Sequence, residues 1–353
     1  MAGNDLELAT REMFVRSVKQ QTFAHKPFFE EMMRRNQIKI RGGKYIERLV
    51  DVAEMDDVGQ SYTVNEALTQ TKKDMLDKPR FTWKYYQMPL QIDADEETEN
   101  IGAGDEEQLL DLAQFLTRKA TSGVRIALAK MLYNVNPMTG AGSETGVGDS
   151  SKYFQSLLSA LDHDVTTYGN ISRAVGGSNT WWLGSDPEGR VDTISSSSQG
   201  TSYSLSMSMI RKWMIPLLEN MERASDMYLL MCPTLWNKIK AELESYGRVE
   251  LDKTSSLNFG IQKFKIDGVY NCVADPYLEH GYGTSGTTEN WFFMLNMADW
   301  EVHIHSKRNF KMTPWKWQGE LANGYDYTLC RILVKGNFVC WKPNGSLWLY
   351  EVS

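Results

Sequence analysis

Two strand-like runs face each other in this sequence across a polar gap, and that pairing limits the fold more than any other feature. The first is 43-GKYIERLVDVAE-54, in which Tyr45, Leu49 and Val52 stand among charged neighbours. The second is 79-PRFTWKYYQMPLQID-93, in which Phe81, Trp83, Tyr85 and the later apolar positions mix with Arg80, Lys84 and Gln87. Residues 55–78 between them are polar and carry no strong core pattern. β-rich runs joined by a polar tip predict a hairpin. At ~3.3 Å per residue, strands of this length would reach roughly 40–50 Å. A lone two-stranded hairpin is marginal in water. The arm is therefore expected to pack on something outside its own domain, which points to assembly.

The rest of the composition narrows the class. A chain of 353 residues can hold two domains, or one with large excursions. With 42% hydrophobic and 24% charged residues, it reads as globular. Eleven Trp leave two readings open, a Trp-rich core or aromatic interfaces. The formal net charge of −7 and the lack of a Lys/Arg run argue against strong direct binding of nucleic acid. The start, MAGNDLELATREMF, lacks a basic-then-apolar signal, and no stretch of ~18 apolar residues occurs. A soluble product made in a cytoplasm, with no membrane partner, is the expectation. Cys232, Cys272, Cys330 and Cys340 show no CxxC spacing, and three sit in apolar strand-like runs. They read as buried thiols rather than a structural zinc site.

Along the chain, helical patches at 11–20 and 28–35 suggest an N-terminal arm that docks on the body or on a neighbour. After the hairpin comes an acidic neck, 93-DADEETENIGAGDEE-107, with eight carboxylates and no basic residue. Asp105 then reads as an N-cap with Gln108 completing a capping box. Behind it a long helix is predicted over 106–134. Leu109, Leu112, Ala113, Leu116, Ala120, Val124, Ala127, Leu128 and Met131 form its stripe. The Gly/Ser-rich 134–151 has no Lys to serve a phosphate loop and reads as a connection.

A short helix is predicted at 152–165, an irregular segment at 168–189 and a polar linker at 192–202. A helix follows from Ser204 to Glu222. The unit 226–245 reads as a buried strand, a Pro turn and a helix. Further strands are expected at 266–279, 291–298, 300–306, 325–343 and 346–353. Helices then strands, without β-α-β repetition, make the fold class α+β.

Chemistry is hard to find. His303 and His305 share one side of a probable strand but lack a third metal ligand, so a solvated strand face is the preferred reading. Glu47, Asp51 and Glu54 lie on the arm, where no water-excluding pocket is expected. Asp275, before Pro276, reads as a turn-former. No nucleophile, base and orienter set is visible, so no catalytic, cofactor or metal residue is assigned. An enzyme with an unrecognised site stays as an alternative.

The order of the parts resembles the major capsid proteins of tailed phages, with the Hong Kong 97 fold. The strand–Pro–helix unit 228-YLLMCPTLWNKI-239, the segment 267-DGVYNCVADPYL-278, and 168-YGNISR-173 with Trp181 and Trp182 are similar to family features. The resemblance covers nearly the whole chain. It implies an N-arm at 1–36 and an extended hairpin loop at 37–104. It further implies a peripheral domain at 105–203 and 301–353 with spine helix 105–134, and an axial domain at 204–300.

It also implies self-assembly into hexamers and pentamers that form an icosahedral shell, built in the host cytoplasm. That shell would enclose double-stranded DNA without sequence-specific binding. Scaffolding, portal and decoration proteins would be the other partners, and no cofactor would be needed. Hairpins would lie over neighbouring subunits, making Phe81, Trp83, Tyr85, Tyr86, Tyr45 and Arg48 the expected intersubunit residues. Some members tie a hairpin Lys covalently to another subunit; Lys72, Lys73 and Lys78 lie near the tip, but no motif assigns that chemistry. Encapsulin-type nanocompartment shells share the fold and remain a rival reading.

Overall fold

A computed structural model of the chain describes residues 27–35, 37–52, 61–67, 73–99, 112–133, 152–174, 179–185, 205–245, 264–266, 270–275, 278, 291–317 and 326–349. The expected capping box at Asp105, the glycine connection and the linker lie outside them.

The first element, α1 (Pro27–Arg34), opens on a proline, whose missing N–H costs nothing at a first helical turn. Phe28 and Met32, four apart and both buried, form its inner face. Phe28 meets Tyr228 edge-on at 5.9 Å, and an ion pair from Arg35 to Asp226 at 2.8 Å fixes the helix end. The arm docks on the body of its own subunit here.

Next come β1 (Ile38–Arg41), β2 (Tyr45–Glu47), β3 (Val50–Asp51), β4 (Leu76–Asp77), β5 (Arg80–Thr82) and β6 (Lys84–Asp93). The hairpin exists: β2 pairs antiparallel with β5, Tyr45 opposite Thr82, and β3 with β4, Val50 opposite Asp77. It is shorter than the run of residues suggested, because β6 is not free. All ten of its residues pair with a strand of the body.

Residues 94–99 of the acidic neck form a helix, α2 (Ala94–Glu99). The long helix α3 (Leu112–Leu132) follows. Its stripe is as expected, Val124, Ala127, Leu128 and Met131 being buried and Leu116 and Ala120 half-buried. The next helix, α4 (Leu157–Leu161), is shorter than the predicted 152–165. Ser156 and Ser159 cap each other reciprocally at its start. Upstream, Gln155 N–H is drawn out of helical pairing by Asn337 Oδ1, at 2.9 Å.

Within the segment read as irregular, β7 (Thr167–Tyr168) and β8 (Ile171–Ser172) make a two-residue hairpin, and a 3₁₀ turn spans Thr180–Trp182. Then come α5 (Met207–Glu219), N-capped by Ser206, β9 (Met227–Met231), α6 (Pro233–Ser245), β10 (Phe264–Ile266), β11 (Tyr270–Ala274) and β12 (Phe292–Asn296). The last strands are β13 (Trp300–His305), β14 (Lys311–Met312), β15 (Lys316–Trp317), β16 (Tyr327–Cys340) and β17 (Leu347–Leu349).

Two mixed sheets organise these parts. One runs β10-β11-β9-β12-β17. Every side chain of β9 and β12 is buried, which explains the apolar runs MYLLM and FFML, the latter closed by buried Asn296. Trp213 of α5 packs on Phe292, and Trp348 stacks on Phe293. The second sheet centres on β16, which pairs with β6 on one side and with β13, β14 and β15 on the other; β1 adds parallel to β13.

The chain passes directly from one sheet to the other at two places, from β12 to β13 and from β16 to β17. The terminal strand thus lies in the other sheet from β16, although residues 301–353 read as one block in the sequence. Ser346 Oγ ties the two crossings together, accepting from Asn296 N–H at 3.1 Å and from Trp300 Nε1 at 3.2 Å. All four cysteines are free and buried, as expected.

Candidate assembly surface

The six residues expected to touch a neighbour divide sharply. Phe81 is fully buried and Trp83 is 7% exposed. Phe81 lies edge-on to Tyr168 at 4.9 Å and to Trp341 at 5.7 Å. A close approach makes room for it: Gly169, at φ 60°, carries no side chain where a Cβ would lie 2.8 Å from the Phe81 ring. Trp83 donates from Nε1 to Gly43 O at 3.0 Å and stacks edge-on to His305. Both aromatics therefore anchor the root of the hairpin in its own subunit. This corrects the picture of an arm with too little to pack on.

Of the other four, Tyr85 and Arg48 are exposed, whereas Tyr45 and Tyr86 are half-buried. Tyr85 is 59% exposed, flanked by Lys335 at 5.2 Å and Arg308 at 5.6 Å from its ring centre. Tyr86 is half-buried under the sheet, where burial pushes its phenol upward. Tyr45 is half-buried, with Arg80 over its ring at 4.9 Å. Arg48 is exposed, its guanidinium 5.9 Å from the Trp341 ring centre. Glu47 joins this cluster through Lys78 Nζ at 2.8 Å and Arg80 Nε at 3.4 Å. The hydrogen bond from Lys78 holds its carboxyl below the usual range.

Sequence reasoning left out the residues that stand most clear of the subunit. Val64 is 90% exposed, and Tyr62 and Leu76 are exposed as well, toward the hairpin tip; Leu49, also exposed, stands nearer the root. Thr63 and Glu66 brace the tip: Thr63 N–H donates to Glu66 Oε2 at 3.0 Å, and Glu66 N–H to Thr63 O at 3.1 Å. Their signal was weak, since isolated apolar residues in a polar stretch look like ordinary loop. Large apolar side chains gathered on a projecting element are a mark of an interaction surface.

Below the arm a groove of about 550 Å³ opens, lined by Arg48, Leu49, Val52, Trp181, Asp299 and Lys342 among others. Burial pushes Asp299 up to about 6, against the pull of Lys342 and Asn296. Such a group in a cleft is a candidate acid. Its Oδ2, however, already accepts from Asn296 Nδ2 at 2.6 Å, and its carbonyl accepts from Trp341 N–H at 2.9 Å. It holds the sheet crossing together.

His303 departs from its expected place. It is fully buried, not on a solvated face, and lies edge-on to Trp341. Glu301 Oε2 accepts from both His303 Nε2 and Trp341 Nε1, each at 2.9 Å. Burial alone would raise the Glu301 carboxyl, but those two hydrogen bonds and the nearby charges hold it at about 2. His305, two residues on, lies at the surface end of the strand. Among the described residues no group of three or more His, Cys, Asp or Glu is placed to hold a metal. Asp275 is the turn-former expected, with Leu278 N–H donating to its carbonyl at 3.1 Å; its buried carboxylate also accepts from Tyr133 Oη at 2.7 Å.

No protein-family model matches the chain, and no curated protein matches it by sequence. Solved structures do match over its whole length. A cyanophage A-1(L) capsid protein aligns with a TM-score of 0.65 at 12% identity, covering 96% of each chain. The capsid of a native GTA particle aligns with a TM-score of 0.52 at 9% identity, covering 97% of this chain and 100% of that one. An encapsulin from Synechococcus elongatus aligns with a TM-score of 0.50 at 10% identity, covering 100% and 97%. The docked N-terminal helix, projecting hairpin, long helix and paired mixed sheets, matched end to end in these shells, are the Hong Kong 97-like fold.

Proposed function

We propose that this chain is the major capsid protein of a tailed phage, assembling into hexamers and pentamers that close an icosahedral shell around double-stranded DNA. The observation that carries the reading is the end-to-end likeness to the cyanophage capsid protein, which covers 96% of each chain. The anchored hairpin supports it. A root locked by Phe81 and Trp83 and a tip bearing Tyr62, Val64 and Leu76 suit a rigid lever that seats on a neighbour. In this reading α3 is the spine helix, the β16 sheet the peripheral domain and the β9 sheet the axial domain. Scaffolding, portal and decoration proteins would be the partners in the host cytoplasm. DNA would be enclosed without base readout. The role is structural, with no reaction assigned.

A second reading, a nanocompartment shell, is favoured by the encapsulin match. One experiment addresses both: negative-stain imaging of the purified protein at rising concentration, with analysis of what the particles enclose. Rings of five and six and closed shells support the capsid reading, and enclosed cargo enzyme in place of DNA moves it to the second. A persistent monomer with a fixed small-molecule ligand overturns both.

A further inference from the structure

The solvent side of the β16 sheet has a composition unlike the rest of this acidic chain. Residues 302–319 and 327–350 contain no Asp or Glu. Antiparallel partners share a face, so Lys311, opposite Leu333, and Lys316, opposite Leu329, stand beside Arg331 and Lys335 of the central strand. Arg308 joins them over Tyr85. Half-buried Leu329 and Leu333 and exposed Pro89 fill the spaces between. Half-buried leucines under charge of a single sign suit a partner that carries the opposite sign.

The same sheet ends in the opposite charge. β6 runs into Asp93 and then α2, whose Asp95 is exposed and Glu96 half-buried. Within one subunit Arg331 and Lys311 stand clear of that acidic end. Arg331 lies opposite Pro89, four residues before Asp93, and at ~3.3 Å per residue that is about 13 Å along the strand. Lys311 is two residues further, about 20 Å away. Both distances exceed the ~8 Å over which charges act in physiological salt.

We propose that this basic sheet face is the seat for the acidic helix Ala94–Glu99 of a second copy of the chain. The inference rests on the assembly reading above and specifies one contact within it. Two different patches meeting head to tail make a heterologous contact, and such contacts close into rings when the rotation allows. The paired charges set which neighbour is accepted and in what register.

The test uses two full-length charge-reversal variants, K311E/R331E on the face and D95K/E96K on the helix, with circular dichroism to confirm folding. Each alone should raise the protein concentration for half-maximal assembly at least tenfold, read by sedimentation velocity and negative stain. Carrying all four reversals in one chain should recover wild-type assembly, because every contact of a five- or six-membered ring then pairs opposite charges again. Two-site variants that assemble at the wild-type concentration overturn the pairing, as does a folded four-site variant that fails to recover. If K311E/R331E assembles normally but loses nucleic acid that wild-type particles retain, the face serves nucleic acid and the pairing is wrong. A wild-type chain that never assembles is a different result, for it removes the capsid reading itself.

Discussion

Asp299 and Glu301, two residues apart where the chain passes from one sheet to the other, are held on opposite sides of the ordinary carboxylate range. Asp299 is raised to about 6 and Glu301 lowered to about 2. Burial opposes ionisation of both. The difference lies in partners: Glu301 receives two ring N–H donors, His303 and Trp341, whereas the Asp299 carboxylate receives Asn296 and the pull of Lys342.

For Asp299 the folded value lies above the unfolded one. Below about pH 4 the group is neutral in both states and has no effect. As pH rises from about 4 to about 6 the unfolded chain loses its proton first, so stability falls and then levels off. The shift sets an upper bound of about 3 kcal/mol. Asp299→Asn is expected to stabilise the subunit above pH 6, since its amide oxygen can still accept from Asn296 Nδ2, and to do nothing below pH 4. Urea unfolding of the unassembled subunit at pH 4 and pH 7 would check this; an equal effect at both would contradict it.

Glu301 runs the other way. Its folded value is depressed, so its contribution is present above about pH 4.5 and is lost as pH falls toward 2. Glu301→Gln should destabilise at neutral pH by up to about 3 kcal/mol, with wild type and variant converging near pH 2. Thermal melts across that range, on subunits kept unassembled, give the comparison.

Much of the fold was legible because its signals are local. The α3 stripe repeats at three and four residues, and β9 and β12 are almost wholly apolar because they are covered on both faces. The errors came from partners distant in sequence. His303 reads as solvated because no third metal ligand accompanies it, yet it packs edge-on to Trp341, brought alongside by the Val302–Phe338 pairing. The run 79–93 reads as one strand, yet Thr82 ends the hairpin pairing and Lys84 begins the body sheet. Nothing in the spacing marks that change of partner. The exposed tip residues were missed for the converse reason, since single apolar residues in polar surroundings have no period to detect.

Arg173 offers a test of how the segment after α4 is held. It is fully buried, and its guanidinium donates to the carbonyls of Val165, Ala160, Trp182, Ser159 and Asp162 while lying over Tyr168. The sequence shows only an ordinary arginine. Arg173→Ala would leave several buried carbonyls without these donors, and a loss of at least about 3 kcal/mol is expected. Arg173→Lys should recover little, because an ammonium cannot reproduce the planar fork. Denaturant midpoints of the three proteins decide it; a lysine variant as stable as wild type would show that charge alone suffices.

The hairpin's two roles can be separated by substitution. Phe81 is enclosed by Tyr168, Trp341 and the bare backbone of Gly169, so Phe81→Ala opens a cavity in the subunit. A loss of about 3–5 kcal/mol is expected, measurable on the unassembled subunit. Tyr62 and Val64 are exposed at the tip, so replacing both with Ser should change subunit stability by no more than about 0.5 kcal/mol. If the tip seats on a neighbour, that same pair should raise the concentration needed for shell formation, because the apolar area it buries exists only in the assembly. Tyr85→Ala should behave like the tip pair, with a small added loss from its contacts with Lys335 and Arg308. A tip variant that assembles at the wild-type concentration into shells of equal thermal resistance would remove the tip from the interface, leaving the root as a purely internal brace.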